Sequence, residues 1–442
     1  MTTAPAAGQD DLERAGLADL AAFLRASPGP FHAVAEAATR LRAEGFTEHR
    51  WPRPGAPGDD PLRPGGHWLV RDGALIAWVV PAGATAGAPL RIFAAHTDSP
   101  ALRIKPHPDT GVAGWRQLGV EVYGGALWNS WLDRDLGLAG RVVLRDGTVL
   151  PVFVDRPLLR VPQLAIHLDR SVNQGLTLDP QRQLTPVWGL GRVAAGDLLE
   201  FLAAELGVAA GDIAAHDLIT VELSPPALLG RDRELFAAGR LDNLVSVHAG
   251  LDALLQLRAA DPQPDAPISV LAAFDHEEVG SDTATGAGGP LLGSVLTLLA
   301  GGDQAPGVRA GVFAESRCLS VDVTHAVHPG YLDRYEPEHL CLPNGGPALK
   351  VNAVQRYATD APGAAAWTRA CARAGVPSQV FVSRNTVPCG STVGPILATR
   401  LGIRTVDVGI PVLSMHSVRE LCGAQDPARL TAAAVAFLSD PV

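Results

Sequence analysis

Apolar residues recur at helical spacing in two early stretches, Leu12 to Arg25 and Phe31 to Glu44, and both predict amphipathic helices. The Pro- and Gly-rich stretch from Pro52 to Gly66 breaks the periodicity and reads as a loop. Apolar runs of strand length follow at Ala74 to Val80 and Leu90 to Ala95. From Val120 to Val154 short segments alternate apolar and polar residues, and the Asp146-Gly147 pair is of the type that closes a hairpin. Beyond about Arg231, helical and buried-strand patterns take turns. Helices are predicted at Asn243 to Ala260, Ala364 to Ala374, Val393 to Leu401 and Pro427 to Leu438. Strands are predicted at Ile268 to Phe274, Leu319 to Val323, Gln379 to Ser383 and Thr405 to Ile410. Such alternation predicts an α/β fold, a mixed sheet covered by helices on both faces. The simplest organisation is one α/β domain from residues 1-100 and 232-442, with a β-rich domain, 101-231, inserted between them. No internal repeat is present.

Composition agrees with a folded chain. At 442 residues, 47% of them hydrophobic, there is enough apolar material for two or three structural units of about 100 to 200 residues each. The formal charge of −10 and the lack of any Lys/Arg run argue against nucleic acid as a partner. Net charge does not decide the ligand, since a few groups or a metal ion set the local field. The five cysteines form no CxxC pair, which fits a reducing cytoplasm better than a disulfide framework. Acidic residues at Asp10, Asp11 and Glu13, without a basic region and apolar core, give no secretion signal. The longest apolar stretch, Leu291 to Ala300, is far short of the roughly 20 residues that span a membrane. A cytoplasmic protein with no membrane association is the expectation.

Residues of metal-binding type fall at strand ends. His96 and Asp98 follow the Leu90 run, Glu277 and Glu278 follow Ile268 to Phe274, Asp322 ends a predicted strand, and His416 comes soon after Thr405 to Ile410. Open α/β sheets collect their ligand sites at the carboxyl ends of strands. Taken singly, each has a plainer reading: a hydrogen-bonded structural His, a helix N-cap for Asp242-Asn243, a solvated turn for Glu277-Glu278. His276 and His248 read as structural. Jointly, carboxylates and two His residues converging on one edge would repel unless cations neutralise them, and this favours a metal site. Ser391 lacks the Gly-x-Ser-x-Gly elbow of a serine nucleophile and reads as a helix N-cap.

Five blocks then carry a resemblance: His96-Thr97-Asp98-Ser99-Pro100, Gly239 to Asn243, Asp275 to Ser281, His325 to Pro329 and Met415 to Glu420. They look like the signature blocks of the M18 metallopeptidases, the aspartyl aminopeptidase family. The resemblance runs in order along nearly the whole chain, including Glu121 to Gly140 and Leu159 to Asp169 of the predicted insertion.

That resemblance implies a zinc-peptidase-like fold and a metal-dependent aminopeptidase that hydrolyses peptides at the N-terminal residue. Asp242 would bridge two divalent metal ions about 3.5 Å apart. His96 and Asp322 would complete one ion, Glu278 and His416 the other. Zinc is the expected metal, with cobalt or manganese possible in one site. Asp98 would accept the second ring N–H of His96. Glu277 would be the general base, with both glutamates as ligands the alternative. For the family's acidic Asp/Glu preference, Lys350, following a short strand, would pair with the substrate side chain. His167 would reach a neighbouring subunit's site or be structural, and His325 and His328 would line the site or support its loop. The inserted domain would serve dimerisation and substrate cover in a homo-oligomer, a dodecamer of dimers. Rival readings are the same chemistry on neutral N-terminal residues, a related two-metal deacylase or carboxypeptidase, and a non-catalytic scaffold. Glu277 argues against the last.

Overall fold

The structure is a computed structural model that describes residue 12 and residues 16–51, 60–260, 263–302 and 306–441. Its largest element is a nine-stranded sheet in the order Thr47–Glu48, Gly65–Arg71, Ala74–Val80, Ile268–Phe274, Leu90–His96, Arg317–Val321, Arg404–Gly409, Ala348–Val351, Gln379–Val382. The four strands from Ile268–Phe274 to Arg404–Gly409 are mutually parallel, with Phe274 in register with His96. Antiparallel partners flank them, so the sheet is mixed.

The continuous apolar runs are explained by helices on both faces. Along Ala74–Val80, Leu90–His96 and Ile268–Phe274 every residue is buried. Side chains alternate between two cores. Leu75, Ala77, Phe93, Leu271 and Ala273 pack toward helices Leu241–Ala259, Ala361–Ala374 and Asp426–Leu438. Ile76, Trp78, Ile92, Val270 and Ala272 pack toward Leu291–Leu299 and Val393–Leu401. Each large side chain so buried contributes on the order of 1.5–3 kcal/mol. A Cβ at Gly250 would lie 2.6 Å from the Phe93 ring, so only glycine lets that helix approach the sheet so closely.

A six-stranded sheet takes all its strands from Ala101 to Glu222, in the order Val149–Leu159, Leu136–Leu144, Ile213–Glu222, Ala101–Val112, Trp115–Tyr123, Val187–Leu190. Its core is built around Leu102, Leu118, Leu136, Leu138, Val142 and Leu218. The hairpin expected at Asp146-Gly147 is present, with Gly147 at φ 89° and the Asp146 carboxylate accepting the Thr148 N–H at 2.8 Å. A third sheet, in the order Ala227–Leu229, Leu235–Ala238, Glu420–Gly423, Pro411–Leu413, Thr324–His325, lies beside the site.

Several boundaries differ from the sequence expectation. The Leu12 to Arg25 stretch is helical over Ala18–Ala26, and its residues 13–15 lie outside the described residues. Of the predicted loop, residues 52–59 also lie outside them, and Gly65 and Gly66 already belong to a strand. The strand expected to end at Val323 ends at Val321, which leaves Asp322 one residue beyond it. Lys350 sits inside the strand Ala348–Val351 and does not follow it. The cap of helix Val393–Leu401 is Thr392, whose side chain accepts the Gly394 N–H, while the Ser391 hydroxyl is directed to the Arg356 carbonyl. No helix among the described residues is long and apolar enough to cross a membrane.

Candidate metal centre

The parallel strands end on one edge, which supplies His96, Glu277, Glu278 and Asp322, while Asp242 and His416 come from turns that follow strands of the third sheet. His96 closes Leu90–His96 and is 1% exposed. Its Nδ1–H is held by the Asp98 backbone carbonyl at 3.1 Å, with the Asp98 carboxylate farther off at 3.4 Å. The same ring nitrogen is thus shared between the Asp98 carbonyl and its carboxylate. That carboxylate also accepts the backbone N–H of Glu277 at 3.0 Å, that of Glu278 at 3.1 Å, and the Tyr123 hydroxyl at 2.7 Å. It clamps the short turn Glu277–Val279, which is flanked by left-handed His276 (φ 64°) and Gly280 (φ 101°). The turn places Glu277 Oε2 3.9 Å from His96 Nε2 and Glu278 Oε2 3.4 Å from His416 Nε2.

Asp242 stands at the start of helix Leu241–Ala259, but its backbone and that of Asn243 are not helical, and its side chain caps nothing. His416 follows the strand Pro411–Leu413 in a left-handed conformation, φ 67°. Its Nδ1–H meets the Gly125 carbonyl at 3.0 Å. With both rings held at Nδ1, both Nε2 atoms turn inward, where a bound cation would displace their proton and take the lone pair. Gly124 and Gly125 admit this packing, since a Cβ on Gly125 would stand 3.0 Å from His416 Nδ1 and one on Gly124 3.1 Å from the Glu278 Cβ.

The two oxygens of Asp242 face opposite ways. Oδ1 lies 3.3 Å from His96 Nε2, which is also 3.7 Å from Asp322 Oδ1. Oδ2 lies 3.3 Å from His416 Nε2, itself 3.4 Å from Glu278 Oε2. Two groups of potential ligands thus share Asp242: His96, Asp242 and Asp322, and Asp242, Glu278 and His416. A third, His96, Glu277 and Glu278, brings Glu277 Oε2 within 3.9 Å of His96 Nε2.

The donor set fits divalent cations. Asp242 Oδ1 and Glu278 Oε1 are buried and accept no hydrogen bond among the described residues, a condition that costs about 1–3 kcal/mol or more per group unless a cation satisfies it. Neutral imidazole nitrogen and carboxylate oxygen are donors that zinc accepts. The electrostatics point the same way. Burial opposes ionisation of Asp242, but the rings of His416 and His96 outweigh it and hold the carboxyl low. Burial lowers His416 as well, and Asp242 and Glu278 carry it up to about 10. Burial raises Glu278 well above the usual range, and raises Glu277 to about 7 against the pull of His96.

Around this cluster, Lys350 is 2% exposed, its ammonium 5.2 Å from the centre of the Tyr357 ring. His325 packs edge-on against Phe381, lowered by its burial and by Lys350. His328 meets Tyr331 edge-on, with the ring centroids 4.8 Å apart. His167 is not brought to this cluster: it lies on an exposed segment between Leu164 (59% exposed) and Leu168 (75% exposed). His276 bonds Thr283 and His248 bonds Asp19, as suits structural residues. Sequence reasoning missed Tyr123 and Glu420. Both fall inside the quoted blocks, and only an unassigned polar residue within such a block could have flagged them.

The sequence profile of the Aminopeptidase I zinc metalloprotease (M18) family matches residues 23–438. A protein of Streptomyces coelicolor, "Probable M18 family aminopeptidase 2", is 57% identical over 430 residues, covering 95% of this chain and 96% of its own. The protein of the same name from Mycobacterium tuberculosis is 47% identical, covering 95% and 97%. Among solved structures, one of the Ape4 and Nbr1 complex superposes with a TM-score of 0.92 at 35% identity, covering 98% of this chain and 86% of the other. The S. cerevisiae mApe1 dodecamer superposes with a TM-score of 0.82 at 26% identity, covering 97% of each chain.

Proposed function

This chain belongs to the M18 family of metalloaminopeptidases, and from that premise we propose that it is a zinc aminopeptidase with a dinuclear centre and a preference for acidic N-terminal residues. The observation that carries the reading is the divided Asp242 carboxylate, one oxygen toward His96 and the other toward His416. His96, Asp242 and Asp322 would hold one ion, and Asp242, Glu278 and His416 the other. Zinc bound there supplies a Lewis acid for the peptide carbonyl and a water acidified to near neutrality.

The chain's own residues do the rest. Glu277 is our assignment for the general base. It is held by Asp98 through its backbone N–H beside the cluster, 3.9 Å from His96 Nε2, where a carboxylate can take a proton from the attacking water and return it to the leaving amine. The ammonium of Lys350 would pair with an Asp or Glu side chain of the substrate, with His325 alongside it. A second reading, with Glu277 as a ligand, is favoured by the third grouping of His96, Glu277 and Glu278. It predicts loss of metal on removing that carboxylate.

We assign the exposed segment around His167 to contact with a second copy, in a cytoplasmic dodecamer of dimers. The division into an α/β unit of 1-100 plus 232-442 and an inserted unit of 101-231 is supported by the separate sheet and core of the latter. The test of the central reading is removal of metal. Protein stripped by a strong chelator is expected to lose aminopeptidase activity and to regain it with zinc, cobalt or manganese. Full activity in protein shown to be metal-free would overturn the reading.

A further inference from the structure

We propose that Glu420 is a positioning residue for the metal centre: its single carboxylate receives the backbone N–H of Asp242 and of His416, and so fixes the separation of those two residues. The inference rests on the dinuclear reading above. Oε2 accepts from Asp242 at 2.9 Å and Oε1 from His416 at 2.8 Å. Glu420 itself is 1% exposed.

The small sheet explains why this residue stands there. Glu420 begins the strand Glu420–Gly423, paired on one side with Leu235–Ala238, with Ala238 directly opposite Glu420, and on the other with Pro411–Leu413. The chain leaving Ala238 turns through left-handed Arg240 (φ 61°) to Asp242. The chain leaving Leu413 turns through left-handed Ser414 (φ 59°) and His416 (φ 67°) back to Glu420. Both turns open at the same end of the sheet. Non-glycine residues hold left-handed conformations only where their surroundings dictate them, and the Glu420 carboxylate is the contact common to both turns.

An apolar side chain would fill the same space without the cost of burying a carboxylate. What it would lack is the pair of acceptors. Two residues on separate turns each present a backbone donor to one rigid group, so a shift of either is resisted by the other. The Asp242 and His416 side chains, 3.3 Å apart at Oδ2 and Nε2, are thereby set from behind.

Glu420→Gln tests this with nearly unchanged volume. The amide keeps one acceptor but sets an NH2 donor against the other backbone N–H, freeing one turn. The metal-free variant is expected to melt with the metal-free parent, while its affinity for the weaker-bound zinc, measured by competition with a chromophoric chelator, falls about 10- to 100-fold. The kcat should fall at limiting zinc and recover when zinc is saturating. Glu420→Asp, which keeps both acceptors, should lose less affinity than Glu420→Gln. Zinc affinities equal to the parent's in Glu420→Gln would overturn the proposal. So would a metal-free melting temperature far below the parent's in both variants, which would make Glu420 a structural support. A parent chain that binds no zinc would instead remove the dinuclear reading.

Discussion

Side chains that touch the same cluster are expected to fail in different ways when replaced. Glu277→Gln keeps size and hydrogen-bonding shape but cannot take a proton, so kcat should fall by roughly 10² to 10⁴ with metal content near that of the parent. Asp242→Ala removes the carboxylate that faces both His96 and His416, and should lose metal. Metal analysis beside steady-state kinetics separates them, and equal metal loss in both would mean that Glu277 is a ligand. Lys350 is a buried cation. Lys350→Ala should therefore reduce cleavage of Asp and Glu p-nitroanilides far more than of Leu p-nitroanilide, and an equal loss on all three would reject its assigned role.

At the scale of strands and helices, His67 on the second strand and His49, just past the first, form a pair that the centre does not use. His67, on Gly65–Arg71, bonds His49 through Nδ1 at 2.8 Å and the Arg63 carbonyl through Nε2, and stacks on Trp78. Burial, opposed by the Arg63 carbonyl, lowers His67 to about 4. The unfolded ring, near its ordinary 6.5, takes a proton first, so this group's contribution to stability is present above about 6.5 and is lost as pH falls toward 4. Urea midpoints at pH 7.5 and pH 5 should show a smaller drop in His67→Gln than in the parent, and equal drops would count against it. The elements themselves were largely legible. Ala74–Val80, Ile268–Phe274 and Val393–Leu401 match their predicted spans because unbroken apolar runs and helical spacing reflect two-faced burial. Ends were less so: Asp322 falls past its strand because backbone pairing, which leaves no mark on side-chain type, decides where a ladder stops. The same reason hid Glu420 and much of Asp98. Their partners are backbone N–H groups, and no residue pattern announces those. His96, Asp242, Glu278, Asp322 and His416, which the structure brings together, were legible because their signal lies in side-chain type.

For the whole molecule, the proposed assembly makes a measurable demand. Leu164, Ile166 and Leu168 expose apolar surface on either side of His167, which a second copy would cover. Size-exclusion chromatography with light scattering should give a large homo-oligomer, and His167→Phe should raise KM or lower kcat without removing metal. A fully active monomer would reject the shared site. The order of strands in the main sheet bears on something else, the way the chain is made. The strand Leu90–His96 has Ile268–Phe274 and Arg317–Val321 as its neighbours, so it leaves the ribosome long before either exists. At about 5–20 residues per second the wait for the first is on the order of ten to thirty seconds. Every strand of the six-stranded sheet is synthesised during that interval. The nascent chain can therefore finish its middle before its beginning, and Tyr123, Gly124 and Gly125 are made before either strand that flanks His96.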